Sequence, residues 1–290
     1  MIPRSFGTHD GSFHADEVTA CSLLLLFDRI DRERVFRTRD PHVLSECDYV
    51  CDVGGVYDPN KRRFDHHQVE YQGPLSSAGM ILLYLKEQEV LPLHLYNWLN
   101  HVLILGVDAH DNGHAILEKG VTTFSQVVSN FLPIEYESSV EEMQEAFFKA
   151  IDFVVAHLDR LRERFSYTQT CEWVVKKAMS EAQNALIFDR PLPWIESFFE
   201  LGGEIHPAQF VVMPAGNHWK LRGIPPNLQE RMKVRKPLPE KWAGLREKEL
   251  REISGITGAI FCHKGRFISI WETKEDAVKA LHIALQKEGK

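Results

Sequence analysis

The first half of the chain alternates short apolar runs with stretches of helical length, and polar clusters stand where the runs end. Gly7-Thr8 leads into His9-Asp10-Gly11-Ser12 as a strand end and loop, and Ala15 to Ile30 has the length and composition of a helix. Within it, Leu23 to Leu26 is apolar on all sides and therefore buried. Val35-Phe36-Arg37-Thr38 and Cys47-Asp48-Tyr49-Val50-Cys51-Asp52-Val53 read as strands, the second ending at Gly54-Gly55, and Phe64 runs into Asp65-His66-His67. Ser76 to Gln88 and Leu93 to Gly106 read as helices, the latter just before Asp108-Ala109-His110-Asp111-Asn112-Gly113. Such alternation points to an α/β layer with a parallel sheet. In such sheets ligands gather at the carboxyl ends of the strands, which is where these clusters stand.

From Ser138 the texture changes. Val140 to Phe165 carries Met143, Phe147, Ile151, Val154, Leu158 and Leu161 at helical spacing, and a further helix is expected over Glu172 to Asn184. Pro191-Leu192-Pro193 and Leu201-Gly202-Gly203 mark a boundary zone. Beyond it, Phe210 to Met213, Trp219 to Leu221, Ala259 to Cys262 and Phe267 to Trp271 are strand candidates, with a closing helix over about Lys274 to Lys287. The expected division is residues 1–183, a metal-binding catalytic domain with a helical connector, and residues 184–290, a smaller α+β substrate-binding domain.

A chain of 290 residues accommodates two domains. Its net charge of −7 gives no overall attraction to nucleic acid or to an anionic membrane, so a polyanion must be met by a local patch. No stretch approaches the roughly 20 apolar residues of a membrane span, and Met1-Ile2-Pro3-Arg4 lacks the build of a secretory leader. Five cysteines, an odd number, suggest free thiols in a reducing cytoplasm rather than a disulfide framework. A homodimer is the base-rate expectation for a soluble protein.

The clusters define the chemistry. His9, Asp16, Asp52, His66 and Asp111 offer three carboxylates and two imidazoles, too many ligands for one tetrahedral zinc and without the sulfur of a structural site. Oxygen with imidazole suits hard and borderline divalent cations, and the number of ligands suits two ions with one bridging carboxylate. A pair of cations about 3.5–4 Å apart is the arrangement that handles phosphoryl transfer. Asp52, at the end of an apolar strand before two glycines that allow a sharp turn, has the setting of a bridge. Taken singly, each residue has a plainer reading: His9 as a solvated histidine, Asp52 as a helix cap, Asp111-Asn112-Gly113 as a turn. Four clusters in this order outweigh those readings.

In that order the motifs resemble the four signatures of the DHH phosphoesterase superfamily. The wording Thr8-His9-Asp10-Gly11-Ser12-Phe13-His14-Ala15-Asp16-Glu17, with Asp52-Val53-Gly54-Gly55 and Asp111-Asn112-Gly113, is similar to its Myg branch, the melanocyte-proliferating-gene family. Arg235-Lys236-Pro237-Leu238-Pro239-Glu240, Trp242-Ala243-Gly244-Leu245-Arg246 and Ser254-Gly255-Ile256 extend the resemblance through the second half. It implies a metal-dependent 3′–5′ exoribonuclease using two divalent cations, manganese with magnesium as the alternative, on RNA or a short oligonucleotide. It further implies that His9, Asp16 and Asp52 hold one ion, with His14 beside them, and that Asp52, His66 and Asp111 hold the other. His67 would stand beside the scissile phosphate, oriented by Asp65, and Asp108 is the rival to Asp111. Ser77, at the start of a helix, would offer a phosphate-binding N-terminus or a simple cap.

Residues 220 to 251 hold ten Lys/Arg against four Glu, a local +6 that can bind phosphates. Arg246 and Arg235 are the substrate-binding candidates there, with His263 after the next apolar run. Trp219 and Trp242 can stack bases or pack a core. The chain departs from the branch at Phe267 to Trp271, where relatives carry a Gly-Gly pair; Ile270 and Trp271 are expected to narrow that space. Two rival functions stay open at this point: a hydrolase of small phosphate compounds (a dinucleotide, a cyclic dinucleotide or pyrophosphate), and a non-catalytic nucleic-acid-binding protein.

Overall fold

The computed structural model describes residues 1–135 and 137–286. Lys287, the expected end of the closing helix, lies outside the described residues. The chain divides into two compact units, Met1–Phe165 and Ser166–Lys290.

The first unit has the expected α/β build. Strands β1 (Ile2–Thr8), β2 (Val35–Arg37), β3 (Cys47–Cys51), β4 (Tyr57–Asp58) and β5 (Arg63–Phe64) form one sheet in the order β2-β1-β3-β5-β4. β1 runs parallel to β2 and β3, and β3 parallel to β5; only the short β4 is antiparallel to its neighbour. Between the strands lie α1 (Ala15–Leu26) and the short α2 (Pro41–Glu46), capped by Asp40. Then follow α3 (Ser77–Glu87), α4 (Leu93–Leu99), α5 (Leu105–Asp111) and α6 (Phe124–Ser129). Every residue of α1 from Ala15 to Leu24 is buried, the polar Asp16, Glu17, Thr19 and Ser22 included, whereas Leu25 and Leu26, expected to be buried with Leu23 and Leu24, are only half-buried. The helix expected over Leu93 to Gly106 instead passes through a widened turn at Asn100–Ile104 and continues to Asp111.

Helix α7 (Val140–Glu181) runs unbroken for 42 residues, where two helices were expected. The stretch Phe165 to Glu172 has no proline or glycine to interrupt it. The unit boundary therefore falls inside this helix, at Phe165/Ser166, rather than at 183/184. Phe147, Ile151, Val154 and Leu158 belong to the first core, whereas Cys171 and Val175 belong to a core of the second unit.

The second unit is α+β. β6 (Ala185–Ile187), β7 (Phe210–Ala215), β8 (His218–Gly223), β9 (Ala259–Cys262) and β10 (Ile268–Trp271) form a sheet in the order β6-β7-β8-β10-β9, antiparallel except for the β6–β7 pair. α8 (Ile195–Glu200), α9 (Glu247–Ser254) and α10 (Lys274–Leu285) complete it. One sheet face, with Phe210, Val212, Leu221 and Trp271, packs with Ala277, Ala280 and Leu281 of α10. Among the described residues, no helix is long and apolar enough to cross a membrane.

Candidate metal centre

Three parallel strands of the first sheet end in succession at the polar clusters: β1 at His9, β3 at Asp52, and β5 at Asp65-His66-His67. The N-terminus of α1 adds His14, Asp16 and Glu17, and the last residue of α5 is Asp111. Side-chain donor atoms converge in three overlapping groups, each within 4.8 Å: His9, His14, Glu17 and Asp52; Asp52, His66 and His67; Asp16, His66 and Asp111.

Asp52 joins the first two groups through opposite oxygens. Its Oδ2 lies 3.3 Å from His9 Nε2, and its Oδ1 lies 3.4 Å from both His66 Nε2 and His67 Nδ1. His66 Nε2 is also 3.0 Å from Asp111 Oδ2 and 4.0 Å from Asp16 Oδ2. Yet Asp52 Oδ1 and His66 Nε2 are buried with no hydrogen-bond partner. A buried polar atom left so is costly unless something else takes it. The donor set is nitrogen and oxygen throughout, which fits divalent cations. Asp52 takes a left-handed backbone at φ 57°, a strained conformation for a residue other than glycine that aspartate tolerates better than most.

The electrostatics agree. Burial and then the nearby Asp52 and Asp111 push the Asp16 carboxyl well above the ordinary carboxylate range, a repulsion that a cation relieves. Burial alone would lower the imidazoles, but Asp52 and Glu17 lift His9 to about 10, and Asp111 and Asp52 lift His66 to about 11. Against its burial, Asp52 is held down at about 2 by His66 and His9.

Asp16 sits with His66 and Asp111 rather than in the group of His9, the partner expected for it. Glu17, which the motif reading passed over, is fully buried, accepts the His14 amide at 2.9 Å and faces His9 Nε2 at 3.1 Å. Its signature was the capping-box spacing, a glutamate three residues after the helix N-cap His14. Asp108 is in none of the groups. It accepts the amides of Ser76 (3.1 Å) and Gly79 (3.0 Å) and the Ser76 hydroxyl (2.7 Å), and burial raises it to about 6.

The start of α3 is consequently closed to phosphate. Asp16 takes the amides of Ser77 and Ala78, Asp108 takes that of Gly79, and the buried Ser77 hydroxyl donates to the Phe64 carbonyl at 2.7 Å. A Cβ on Gly79 would stand 2.3 Å from Asp108 Oδ2, so only glycine admits that carboxylate. Asp65 accepts the Gly55 amide at 2.6 Å and faces His67 Nδ1 at 2.8 Å, while the His67 side chain stays 64% exposed. It borders two cavities of 580 and 290 Å³ that share His14, Asp52 and His67 as walls.

In the second unit, Arg235 gives its guanidinium to the carbonyls of Pro225, His206, Ala208 and Gly203, so it braces loops instead of presenting free donors. Arg246 is exposed at the start of α9, with its guanidinium 5.4 Å from the Phe261 ring. His263 Nδ1 accepts the Gly265 amide, and its ring packs on Phe267 at 4.4 Å. Trp242 is buried against Trp271, which takes the core reading over base stacking. Trp271 is itself a core residue, donating to Ser269 at 2.9 Å; strand alternation puts Ile270, with Ile268, on the other face.

The family model MYG1_exonuc, described as an uncharacterised protein family (UPF0160), matches residues 5–285. The chain belongs to this family. A MYG1 protein of Chlamydia pneumoniae is 53% identical over 289 residues, covering 100% of this chain and 99% of that protein. A Homo sapiens protein named MYG1 exonuclease is 31% identical over 331 residues, covering 98% of this chain and 86% of that protein. The crystal structure of RecJ from Thermus thermophilus in complex with Mn2+ aligns over 97% of this chain and 52% of that one. At 13% identity and a TM-score of 0.28, that likeness is too low to argue from.

Proposed function

We propose that this family member is a 3′–5′ exoribonuclease that hydrolyses RNA or short oligonucleotides at a pair of divalent cations, manganese or magnesium. The observation that carries the reading is the division of Asp52, with Oδ2 turned to His9 and Oδ1 turned to His66 and His67. A single carboxylate serving two donor groups is what two adjacent cations need. His9, His14, Glu17 and Asp52 would hold one; Asp16, Asp52, His66 and Asp111 the other. When bound, such cations supply a nucleophilic water at neutral pH and neutralise charge on the phosphate. His67, exposed and steadied by Asp65, would meet the scissile phosphate and hand a proton to the departing oxygen. The exonuclease name of the human relative supports nucleic acid as the substrate class. Five free, buried cysteines are consistent with the further proposal of a cytoplasmic setting.

A 5′-labelled short RNA, incubated with manganese, magnesium or EDTA, tests the reading, with pyrophosphate and a dinucleotide in parallel. A metal-dependent ladder shortening from the 3′ end is expected. Cleavage of only the small compounds would move the function to a small-phosphate hydrolase. Metal binding without any cleavage would overturn catalysis altogether.

A further inference from the structure

Arg39 lies outside the metal-ligand groups, and no family motif identified above includes it. It follows β2, whose end is fixed on both sides: the Thr38 amide bonds to the Thr8 carbonyl at 2.8 Å, and Asp40 caps α2. The neighbouring Arg37 reaches the carbonyls of Gly11 and Met143 and lies 4.6 Å from the Phe147 ring, which ties the loop after His9 to the same strand end. Arg39 lines the 580 Å³ cavity together with His9, His14, Asp52, Asp65 and His67, and among the described residues it is the only Lys or Arg lining it. Its partner is Asp10, at 3.2 Å, with the two side chains 65% and 56% exposed. An exposed pair of this kind holds its members weakly, so the guanidinium is kept at the cavity wall and is cheap to redirect.

We infer that Arg39 binds a non-scissile phosphate of the substrate, released to it by Asp10. The inference rests on the proposed phosphodiesterase reading and adds a specificity element to it. A guanidinium matches a phosphate with two parallel donors, which carboxylates and imidazoles on the same wall cannot do. Arg39 and Asp10 belong to none of the three donor groups, which leaves the guanidinium free to take a phosphate other than the one at the metal ligands. A substrate with several phosphates gains from this contact; a diester with only its scissile phosphate does not. The site thereby prefers chains over single diesters.

The test compares a five-nucleotide RNA with bis(p-nitrophenyl) phosphate, whose only phosphate is the scissile one, using the wild type, Arg39→Ala, Arg39→Lys and Asp10→Asn with Mn²⁺. Loss of a charge-assisted contact predicts a KM raised about tenfold to a hundredfold for RNA in Arg39→Ala. KM for the single diester, kcat for RNA and calorimetric Mn²⁺ affinity should stay within about twofold of wild type. Arg39→Lys should recover part of the loss, and Asp10→Asn, which keeps the backbone carbonyl beside His9, should lower KM for RNA. Equal changes on both substrates, or no change in KM for RNA, would overturn the clamp while leaving the proposed function standing. A wild type inactive on both substrates would remove the proposed function and the clamp with it.

Discussion

The Nδ1 atom of His67 stands 2.8 Å from Oδ1 of Asp65, whose Oδ2 is already held by the Gly55 amide. A carboxylate fixed by a backbone N–H on one oxygen accepts from the ring with the other, so Nδ1–H is held on Asp65 and a proton handed to the departing oxygen has to come from Nε2–H of the doubly protonated ring. Replacing His67 with Asn should lower kcat about 10²–10⁴-fold, the range of general acid–base catalysis. Asp65→Asn should cost less, about 10–10²-fold, because the ring remains but loses its orientation. Calorimetry should find Mn²⁺ still bound by both variants; a His67 variant that is fully active would remove the residue from the chemistry.

Asp52 should be the most sensitive position of the site. Asp52→Asn keeps a side chain that accepts the left-handed φ of 57° but removes the charge shared by two donor groups. Wild type at a Mn²⁺ concentration a hundred times its Kd should gain about 2.7 kcal/mol of stability over the EDTA form. The variant should show little of that gain and no turnover, with an unchanged circular dichroism spectrum. A full metal-induced shift in its thermal unfolding would contradict the bridging role.

The lifted imidazoles make the metal-free protein sensitive to alkali. His9 moves to about 10 in the fold, against about 6.5 in an unfolded chain. Its stabilising contribution is therefore complete below about pH 6.5 and disappears as pH rises through 10. Thermal unfolding in EDTA should decline from about pH 7 to about pH 9.5, more steeply in wild type than in His9→Asn. Metal displaces these protons, so apparent Mn²⁺ affinity should rise over the same interval. Metal-free stability that grows with pH would rule out protonated His9 in the apo site.

Gly79→Ala should separate the brace from the ligands. The new methyl would enter the Asp108 carboxylate at 2.3 Å, and that carboxylate holds the Ser76 and Gly79 amides. Displacing it should cost about 1–3 kcal/mol, as overpacking of a core does, and should loosen the start of α3 on which Asp16 is seated. Denaturant unfolding should register the loss, with a weaker Mn²⁺ affinity beside it; unchanged stability would mean that Asp108 has room to withdraw.

What the sequence made legible follows from the length of the signal. β3 is a largely apolar strand with Asp52 just past its carboxyl end, and Gly7-Thr8 before the His9-Asp10-Gly11-Ser12 loop marks where β1 stops, so both residues could be placed at the rim of a parallel sheet from the sequence. Tyr57–Asp58 and Arg63–Phe64 are too short to display a period of two, and the hairpin that aims His66 and His67 stayed hidden. The grouping of Asp16 with His66 and Asp111, instead of with His9, depends on which way the first turn of α1 faces across the sheet. No spacing along the chain encodes that direction. Ser77 likewise looked open to a ligand because its partner, the Phe64 carbonyl, is a backbone group that every residue possesses.

Arg235 carries the same lesson to a measurable end. Within a run of positive charge it reads as a phosphate ligand, yet its donors go to carbonyls at 2.7–3.1 Å, and Phe198 and Phe199 lie 5.4 and 5.8 Å from the guanidinium carbon. Removing it leaves several part-buried carbonyls without their charged donor, a loss of roughly 2–4 kcal/mol. Arg235→Ala should thus lower the denaturant midpoint of the protein. Assayed well below that midpoint, its KM for RNA should match wild type. Arg235→Lys should recover little, because one ammonium cannot span four carbonyls set out for a planar fork. A raised KM with unchanged stability would return Arg235 to the substrate and leave the loops at His206 and Pro225 without their brace.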